Sequence, residues 1–293
     1  MGTKAMITPL DARRIQVRAP AKINLFLEVK GKRADGYHEL YSLMVGVSLF
    51  DTLSLAIGTG SIHVACDDPL VPDDETNLAW RAAALFQDRT GRFEGVHIEI
   101  DKKIPVAAGL GGGSSDAAAV LQGLNHLYGR PFDQPALMAM GLAIGADVPF
   151  FLFGQPALAA GIGEQLTPCR NLAPYHALLV YPGVGIATAE VFKNLNLRLT
   201  KCKKALKDFP FRKQNFDINR HLCNDLETVA AAKYPVITDV KQRLAALGAA
   251  GALMSGSGTA VFGLFTEAAS AQRAYHLLAG TRSWRVFIAD LLI

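Results

Sequence analysis

Cysteine, tryptophan and long apolar runs are all scarce in this chain. Its 293 residues include two tryptophans and four widely spaced cysteines, Cys66, Cys169, Cys202 and Cys223. Because no two of them form a Cys-x-x-Cys pair, the spacing predicts reduced thiols rather than a zinc site or a disulfide framework. The longest apolar stretch, residues 148–162, is interrupted by Pro156, and residues 1–14 lack the apolar core of a signal peptide. We therefore expect a cytoplasmic protein with no membrane partner.

A large excess of one charge is also missing. The chain has 30 Lys and Arg residues against 26 Asp and Glu, a net charge of +4. Residues 198–220 hold eight basic and two acidic residues, so much of the excess lies in one run. A nucleic-acid-binding protein more often spreads basic groups over one face and places aromatic residues between them. We predict no nucleic-acid partner and interpret the run as a solvated connection, with contact to an anionic substrate as the alternative.

The length and the order of the predicted elements favour two domains. A chain of 293 residues exceeds the usual size of a single domain. Apolar periodicity predicts strands over residues 15–19, 23–30, 42–49, 51–57, 96–100, 157–160, 165–166, 176–181, 252–255, 261–265 and 284–289. It predicts helices over residues 78–90, 114–128, 135–144, 188–194, 225–231, 236–247 and 268–278. The order indicates an α+β fold, with domains at residues 15–167 and 168–293.

The most informative feature present is a glycine-rich segment between a predicted strand and a predicted helix. It reads Pro105-Val106-Ala107-Ala108-Gly109-Leu110-Gly111-Gly112-Gly113-Ser114-Ser115. Glycines allow successive backbone N–H groups to face one ligand, and the following helix adds unpaired donors and a partial positive charge. The segment therefore predicts a polyphosphate site. A glycine-rich turn without a ligand is the alternative.

Two common phosphate loops do not fit this segment. Gly113 is followed by Ser114, whereas a Walker A loop has a lysine there to reach the β- and γ-phosphates. The glycines also lack the spacing of the dinucleotide fingerprint, and no acidic residue ends a second strand where a ribose would need it. The sequence thus excludes a P-loop NTPase and disfavours a dinucleotide-binding fold.

Three segments together resemble the GHMP kinases, the superfamily of galactokinase, homoserine kinase, mevalonate kinase and phosphomevalonate kinase. Residues 105–115 are similar to the second signature of that superfamily, residues 19–27 to the first and residues 255–262 to the third. Residues 33–40, which contain Asp-Gly-Tyr-His, and residues 145–149 resemble the branch that serves the non-mevalonate pathway of isoprenoid and terpenoid biosynthesis. The resemblance extends from about residue 17 to about residue 290.

The resemblance implies a two-domain GHMP kinase fold. Its N-terminal domain would be a ribosomal-protein-like α/β domain with the phosphate loop, and its C-terminal domain would be ferredoxin-like and complete the substrate cleft. The implied activity is ATP- and Mg²⁺-dependent phosphorylation of the 2-hydroxyl of 4-diphosphocytidyl-2-C-methyl-D-erythritol, by a monomer or weak homodimer. A kinase for mevalonate, homoserine or a sugar is one alternative. A non-catalytic nucleotide-binding sensor on the same fold is another.

Two residues are candidates for the chemistry. Period-two alternation places Lys22 and Asn24 on one face of their strand, and we expect that face to be available to a ligand while the other is core. The resemblance implies that Lys22 is the catalytic lysine. Asp147 precedes Pro149, which restricts the backbone, so its carboxylate is a candidate general base, with a helix-terminal or turn aspartate as the alternative.

The remaining site residues are assigned by the resemblance. For ATP it implies Lys102, Asn77, Leu78, Pro105, Gly109, Leu110, Gly111, Gly112, Gly113, Ser114 and Ser115. For the cytidylyl substrate it implies Asn24, Tyr37, His38, Thr188 and Phe192. Asn77 is equally suited to be a helix N-cap, and Asp116 to complement the positive end of its helix. The turn at residues 255–259 could brace the phosphate loop or bind phosphate. The metal ligands stay open, although Ser114 or Ser115 could reach Mg²⁺.

Overall fold

The computed structural model describes residues 6–197, 200, 202, 216–281 and 283–293. These residues form twelve strands of one branched sheet. The strands are β1 (Met6–Pro9), β2 (Arg14–Lys32), β3 (His38–Gly58), β4 (Ile62–Cys66), β5 (Gly95–Asp101), β6 (Ala157–Gly161), β7 (Gln165–Pro168), β8 (His176–Tyr181), β9 (Cys223–Asn224), β10 (Gly251–Met254), β11 (Val261–Phe265) and β12 (Arg285–Leu292).

The centre of the sheet is a long antiparallel pair formed by β2 and β3. Each was predicted as two shorter strands, with breaks at residues 20–22 and at Phe50. In the structure both strands run through, and the irregular positions are absorbed by register shifts, one of them between Pro20 and Ala21. A β-bulge of this kind lets a strand keep pairing across a residue that cannot donate to the ladder.

The C-terminal strand connects the two halves of the sheet. Strand order along the main path is β1-β2-β3-β12-β8-β11-β10. Residues Arg285 to Asp290 of β12 pair with β8, whereas Leu291 and Leu292 pair with Val47 and Gly46 of β3. The two halves therefore share one continuous network of backbone hydrogen bonds. The boundary predicted between residues 167 and 168 stays a prediction.

Helices pack against this sheet in both halves. The described helices are α1 (Leu78–Thr90), α2 (Gly112–Leu127), α3 (Gln134–Ile144), α4 (Val148–Phe153), α5 (Thr188–Lys193), α6 (Ile218–His221), α7 (Glu227–Lys233), α8 (Val236–Ala246) and α9 (Ala268–Leu278). Helix α1 has the predicted bounds because Asn77 caps its first turn and Gly91, in the left-handed region, ends it. Among the described residues, no helix combines the length and the hydrophobicity needed to span a membrane.

Three apolar clusters form the core. One packs α1 to α4 against the N-terminal strands and includes Phe86 and Phe150. Another lies in the C-terminal half and includes Val240 and Phe265. The cluster between them contains residues from both halves, such as Ile23 and Phe262. The site described below lies above this shared core, so its position depends on both halves of the chain.

The prediction of four reduced cysteines is wrong. Cys202 and Cys223 form a disulfide across a sequence separation of 21 residues, and Cys66 and Cys169 are free. The two cysteines meet because β9, which contains Cys223, pairs with Phe26 and Leu27 of β2. Asp225 then accepts a hydrogen bond from the backbone N–H of Cys202 at 3.1 Å. Spacing along the chain contains no signal of this contact.

Two other expectations concern single segments. Helix α4 was not predicted, because its apolar residues carry no polar face by which a helix could be recognised. Most of the basic run at residues 198–220 lies outside the described residues. Its interpretation as a solvated connection therefore stays a prediction.

Candidate active site

The glycine-rich segment forms an open loop that ends at the N-terminus of α2. Gly109 and Gly111 have φ values of +78° and +73°, in the left-handed region that favours glycine. A Cβ atom at Gly109 would lie 2.2 Å from the carbonyl oxygen of Ser255. One at Gly111 would lie 2.9 Å from Phe151 and 3.0 Å from Lys22. Glycine is thus required at both positions, and the N–H groups of the first turn of α2 stay free of side chains.

The turn at residues 255–259 holds the loop from the C-terminal half. Ser255 donates a hydrogen bond from Oγ to the carbonyl oxygen of Gly109 at 3.0 Å. The N–H of Ala260 donates to the carbonyl oxygen of Ala108 at 3.0 Å. Asn224 in turn donates to the carbonyl oxygens of Met254 and Gly256, at 2.8 and 2.7 Å. Both halves therefore contribute to the shape of the phosphate loop.

Lys22 lies at the centre of the site. Its Nζ donates to Asn24 Oδ1 at 2.7 Å, and Asn24 Nδ2 donates to Ser42 Oγ at 2.8 Å. Ser42 Oγ donates to the carbonyl oxygen of Phe26 at 2.6 Å. Each of these three side chains therefore donates to the next group, and the series ends at a backbone carbonyl. Nζ is also 3.6 Å from Asp147 Oδ2. The ammonium is thereby held beside a carboxylate that is itself 39% exposed.

The expectation of a ligand-facing strand surface around Lys22 is wrong in one respect. Lys22, Asn24, Phe26 and Glu28 are all buried, as are their neighbours on the opposite face. At Lys22 and Asn24 the face is covered by the phosphate loop and the turn at residues 255–259, because the Cβ positions of Gly111 and Gly256 lie within 3.4 Å of these two side chains. Lys22 and Asn24 still line the cavity, whereas Phe26 belongs to the shared core.

Asp147 precedes α4, and its carboxylate does not cap that helix. It occupies the N-cap position, but its side chain makes no capping hydrogen bond. Pro149 in the first turn of the helix supports this geometry, because proline lacks an N–H that would need a partner. The carboxylate is therefore directed to the cavity instead of being used by the helix.

A buried ionic cluster supports the phosphate loop from below. Lys102 Nζ lies 2.5 Å from Asp51 Oδ2 and 2.6 Å from Asp116 Oδ2, and all three side chains are less than 5% exposed. Burial opposes the charge on Lys102, but the two carboxylates outweigh it and raise the pKa of the ammonium above its usual value. Burial raises the pKa of Asp116 to about 7, against the opposing effect of Lys102. The Oδ1 atom of Asp116 has no hydrogen-bond partner among the described residues.

The glycine-rich loop lines a cavity of about 470 Å³, which we call the donor cavity because the sequence predicts that it holds the phosphoryl donor. Its lining includes Asn77 and Leu78, the glycine-rich loop, and Lys22 with Asp147. Asn77 is the N-cap of α1, accepting from the N–H of Ala79 at 2.8 Å, and it also lines the cavity. A cavity of this volume that is lined by a glycine-rich loop fits a nucleoside triphosphate.

A second cavity of about 750 Å³, which we call the acceptor cavity, is lined by four of the five residues predicted to bind the cytidylyl substrate. The fifth, Asn24, lines the donor cavity. The rings of His38 and Phe192 stack with centroids 4.9 Å apart, and Tyr37 lies at the rim, 58% exposed. Burial and the nearby charge of Lys32 lower the pKa of His38, so the imidazole is neutral at neutral pH. Thr188 shares a hydrogen bond of 2.8 Å with Ser257. An aromatic pair with a neutral imidazole suits the face and the edge of a nucleobase.

The two cavities meet at Asp147. The residues that line both are Leu40, Ser114, Asp147, Ile162, Thr188 and Phe192. Every predicted site residue lines at least one cavity except two, Leu110 and Ser115. Leu110 is buried and its carbonyl oxygen accepts from the N–H of Lys22 at 2.9 Å, while the buried Ser115 Oγ has no hydrogen-bond partner among the described residues.

Sequence reasoning missed Ser42 and Asp51, and it gave Asp116 a different role. Asp51 carried a usable signal, since an acidic residue in a strand of alternating apolar residues needs a buried partner. Ser42 carried none, because serine is common on strands at any position. Asp116 was interpreted as a complement to the helix dipole, but its carboxylate contacts Lys102.

One group of three side chains that could together hold a metal ion occurs among the described residues, namely Cys202, Cys223 and Asp225. The two sulfur atoms are bonded to each other. The two oxygens of Asp225 accept from the N–H groups of Val29 and Cys202. The cluster is therefore accounted for without a metal ion.

Two family models match the chain. The one described as the GHMP kinases N terminal domain matches residues 77–155, which contain the phosphate loop and Asp147. The one described as GHMP kinases C terminal matches residues 191–279. Together they cover more than half of the chain.

Curated relatives match almost end to end. The 4-diphosphocytidyl-2-C-methyl-D-erythritol kinase of Syntrophotalea carbinolica is 47% identical over 273 residues, which cover 93% of this chain and 97% of the relative. The kinase of the same name from Geobacter metallireducens is 44% identical over 280 residues, covering 95% and 99%.

Solved structures agree with these relatives. A 4-(cytidine 5'-diphospho)-2C-methyl-D-erythritol kinase superposes with a TM-score of 0.78 and 38% identity, covering 95% of this chain and 99% of that one. A homoserine kinase from Cytophaga hutchinsonii superposes with a TM-score of 0.77 at 21% identity, covering 97% and 96%. The second likeness concerns the fold alone.

Proposed function

The chain belongs to the GHMP kinase family, and within it to the 4-diphosphocytidyl-2-C-methyl-D-erythritol kinases, and from this premise we propose how its residues act. It transfers the γ-phosphoryl group of ATP to the 2-hydroxyl of 4-diphosphocytidyl-2-C-methyl-D-erythritol, a step of the non-mevalonate isoprenoid pathway. One observation carries the assignment of roles. Asp147 lines both cavities where they meet, 3.6 Å from the ammonium of Lys22.

ATP occupies the cavity of about 470 Å³. Its polyphosphate lies along the loop from Gly109 to Ser114, where backbone N–H groups and the N-terminus of α2 stabilise negative charge. The base lies at the other end, near Asn77 and Leu78. This orientation directs the γ-phosphate toward Lys22 and the junction of the two cavities.

The cytidylyl acceptor occupies the cavity of about 750 Å³. A base between two rings needs a separation of about 7 Å, twice an ordinary carbon contact. The rings of His38 and Phe192 are closer than that, so the cytosine lies beside the pair, with Tyr37 packing against it. The neutral imidazole of His38 offers one donor and one acceptor to the edge of the base.

The acceptor hydroxyl loses its proton to Asp147 as its oxygen attacks the γ-phosphorus. Lys22 favours the charged carboxylate and stabilises the negative charge that spreads over the transferring group. Asn24 and Ser42 keep the Lys22 ammonium in one position and orientation, so that little reorganisation is needed during the reaction. The surrounding burial strengthens these electrostatic interactions.

Mg²⁺ is the expected counter-ion of ATP, and the chain has residues that fit it. Asp116 and Ser114 both line the donor cavity, and the buried Oδ1 of Asp116 lacks a hydrogen-bond partner among the described residues. Carboxylate and hydroxyl oxygens are ligands that Mg²⁺ accepts. Ser114 and Asp116 would hold the ion, which neutralises phosphate charge when bound. The cytoplasmic location, the monomer or weak homodimer, and the absence of nucleic-acid and membrane partners stay predictions.

Replacing Asp147 by asparagine tests the central role. We expect Asp147→Asn to bind ATP normally and to lower kcat by two orders of magnitude or more, because the amide cannot accept the proton. ADP release with the cytidylyl acceptor measures turnover, and calorimetry measures ATP binding. Asp133→Asn is the matched control, since Asp133 also precedes a helix with proline in its first turn and asparagine keeps that cap. A turnover of Asp147→Asn close to that of the control would refute the assignment.

The acceptor is tested with a panel of alcohols. We expect ADP release with the cytidylyl acceptor and much less with mevalonate, homoserine or a sugar. CDP should inhibit the wild type by competing for the acceptor cavity, and it should inhibit His38→Ala much less. Equal rates across the panel would favour a GHMP kinase for another alcohol. ATP binding with no ADP release from any acceptor would favour a nucleotide sensor.

A further inference from the structure

Asp51, in the middle of β3, has no part in the reaction as described so far. We propose that Asp51 is a positioning residue for ATP, which holds Lys102 so that its ammonium meets the phosphates at the N-terminus of α2. The proposal rests on the proposed function only for the identity of the donor nucleotide.

The contacts of Asp51 point in one direction. The side chain is fully buried, and Oδ1 accepts from the N–H groups of Lys103 and Ile104 at 2.7 and 2.8 Å. Its other oxygen, Oδ2, accepts from Lys102 Nζ at 2.5 Å. One carboxylate therefore fixes three consecutive residues, 102–104. These residues lead directly into Pro105 and the phosphate loop.

Lys102 has a donor to spare in the right place. A lysine ammonium has three N–H donors, and two are taken by Asp51 and Asp116. Nζ lies 2.9 Å from the position that a Cβ atom on Gly112 would take, so the ammonium lies against the first residue of α2. Lys102 also lines the donor cavity. The third N–H can therefore reach an anion at the same helix end that offers backbone donors.

The composition of the cluster argues for positioning over simple charge balance. A single carboxylate would suffice to pair a buried ammonium. The second carboxylate adds orientation to charge pairing. A lysine side chain has four rotatable bonds, and a second partner for Nζ removes most of its conformational freedom before ATP arrives.

Asp51→Asn separates the two contacts of Asp51. The asparagine oxygen can still accept from the N–H groups of Lys103 and Ile104, but its NH₂ group cannot accept from Lys102. We expect KM for ATP to rise about tenfold, with kcat and KM for the acceptor within twofold of the wild type. Asp101→Asn is the matched control. Asp101 lies on the neighbouring strand opposite Thr52 and pairs with Lys103 at 2.6 Å, but it is exposed.

A double-variant cycle separates positioning from a general structural effect. Lys102→Met should raise KM for ATP by more than tenfold, and adding Asp51→Asn to it should change KM for ATP by less than twofold. The proposal is overturned if Asp51→Asn has the same effect in both backgrounds, or if it raises KM for the acceptor as much as KM for ATP.

Binding of ATP alone, measured by calorimetry, gives the same comparison without an acceptor. If the wild type bound ATP but did not phosphorylate the cytidylyl acceptor, the proposed function would fail and the role of Asp51 would still be measured. If Asp51→Asn bound ATP as tightly as the wild type while the acceptor was phosphorylated, the role of Asp51 alone would be refuted.

Discussion

Replacing Gly109 by alanine tests whether the phosphate loop is held as rigidly as the contacts indicate. The new methyl group would lie 2.2 Å from the carbonyl oxygen of Ser255 and 2.8 Å from the backbone nitrogen of Gly258. Both atoms belong to backbone, so neither can rotate away as a side chain could. The turn at residues 255–259 would have to withdraw, and the hydrogen bond from Ser255 to Gly109 would be strained.

Two costs add at this position. A non-glycine residue at positive φ costs about 1–2 kcal/mol. Forcing an extra carbon into a packed contact costs about 1–3 kcal/mol more. We therefore expect Gly109→Ala to lower the free energy of unfolding by about 2–5 kcal/mol, a large share of the total stability of a typical protein. The shift of the loop should also weaken ATP binding tenfold or more.

Gly129→Ala is the matched control. Gly129 has a φ of +77°, nearly the same as Gly109, but a Cβ atom there would meet nothing within 4 Å. It should show the first cost alone, about 1–2 kcal/mol, and leave ATP binding unchanged. Urea denaturation and calorimetric ATP titration measure both effects. Equal losses of stability in the two variants, with ATP binding intact in both, would refute the idea that the turn fixes the loop.

Two further predictions concern the acceptor cavity and the disulfide. Because burial and Lys32 lower the pKa of His38 below its ordinary 6.5, KM for the acceptor should be constant above pH 7 and rise as acidification protonates the ring, and in His38→Gln that rise should be much smaller. Reduction of the Cys202–Cys223 disulfide frees a loop of about 21 residues and should lower the free energy of unfolding by about 3 kcal/mol in urea denaturation. A Cys202→Ser/Cys223→Ser variant should have the same free energy of unfolding as the reduced protein, and adding a reductant should not change that value.

The sequence predicted the parts of the site that depend on local rules. Helix α1 follows from its Asn77 cap, and the phosphate loop from glycines placed between a strand and a helix. The proposed role of Asp147 also rests on a local signal, the restriction of the turn by Pro149 two residues later. Each of these signals lies within a few residues of the feature it predicts, so no knowledge of distant contacts was needed.

The parts that were missed depend on contacts between distant segments. Lys22 was expected on an accessible strand face, but residues more than 200 positions later in the chain cover that face. The Cys202–Cys223 bond depends on the pairing of β9 with β2, which has no local pattern. Asp51 meets Lys102 and Asp116 only after three elements have packed together. Periodicity reports which side of an element is apolar, but not which other segment will cover it.

The pairing of β12 with both β3 and β8 limits how the enzyme can move and diversify. Since Leu292 lies opposite Gly46, and Gly46 opposite Lys22, backbone pairing at the floor of the reaction centre joins the two halves directly and opposes their separation. Adjustment to an incoming alcohol therefore falls to the outlying parts, the tip joining β2 to β3 and the short helix that contains Phe192. New acceptor preferences could evolve there by changing a few side chains, while the phosphoryl-donor end remained as it is.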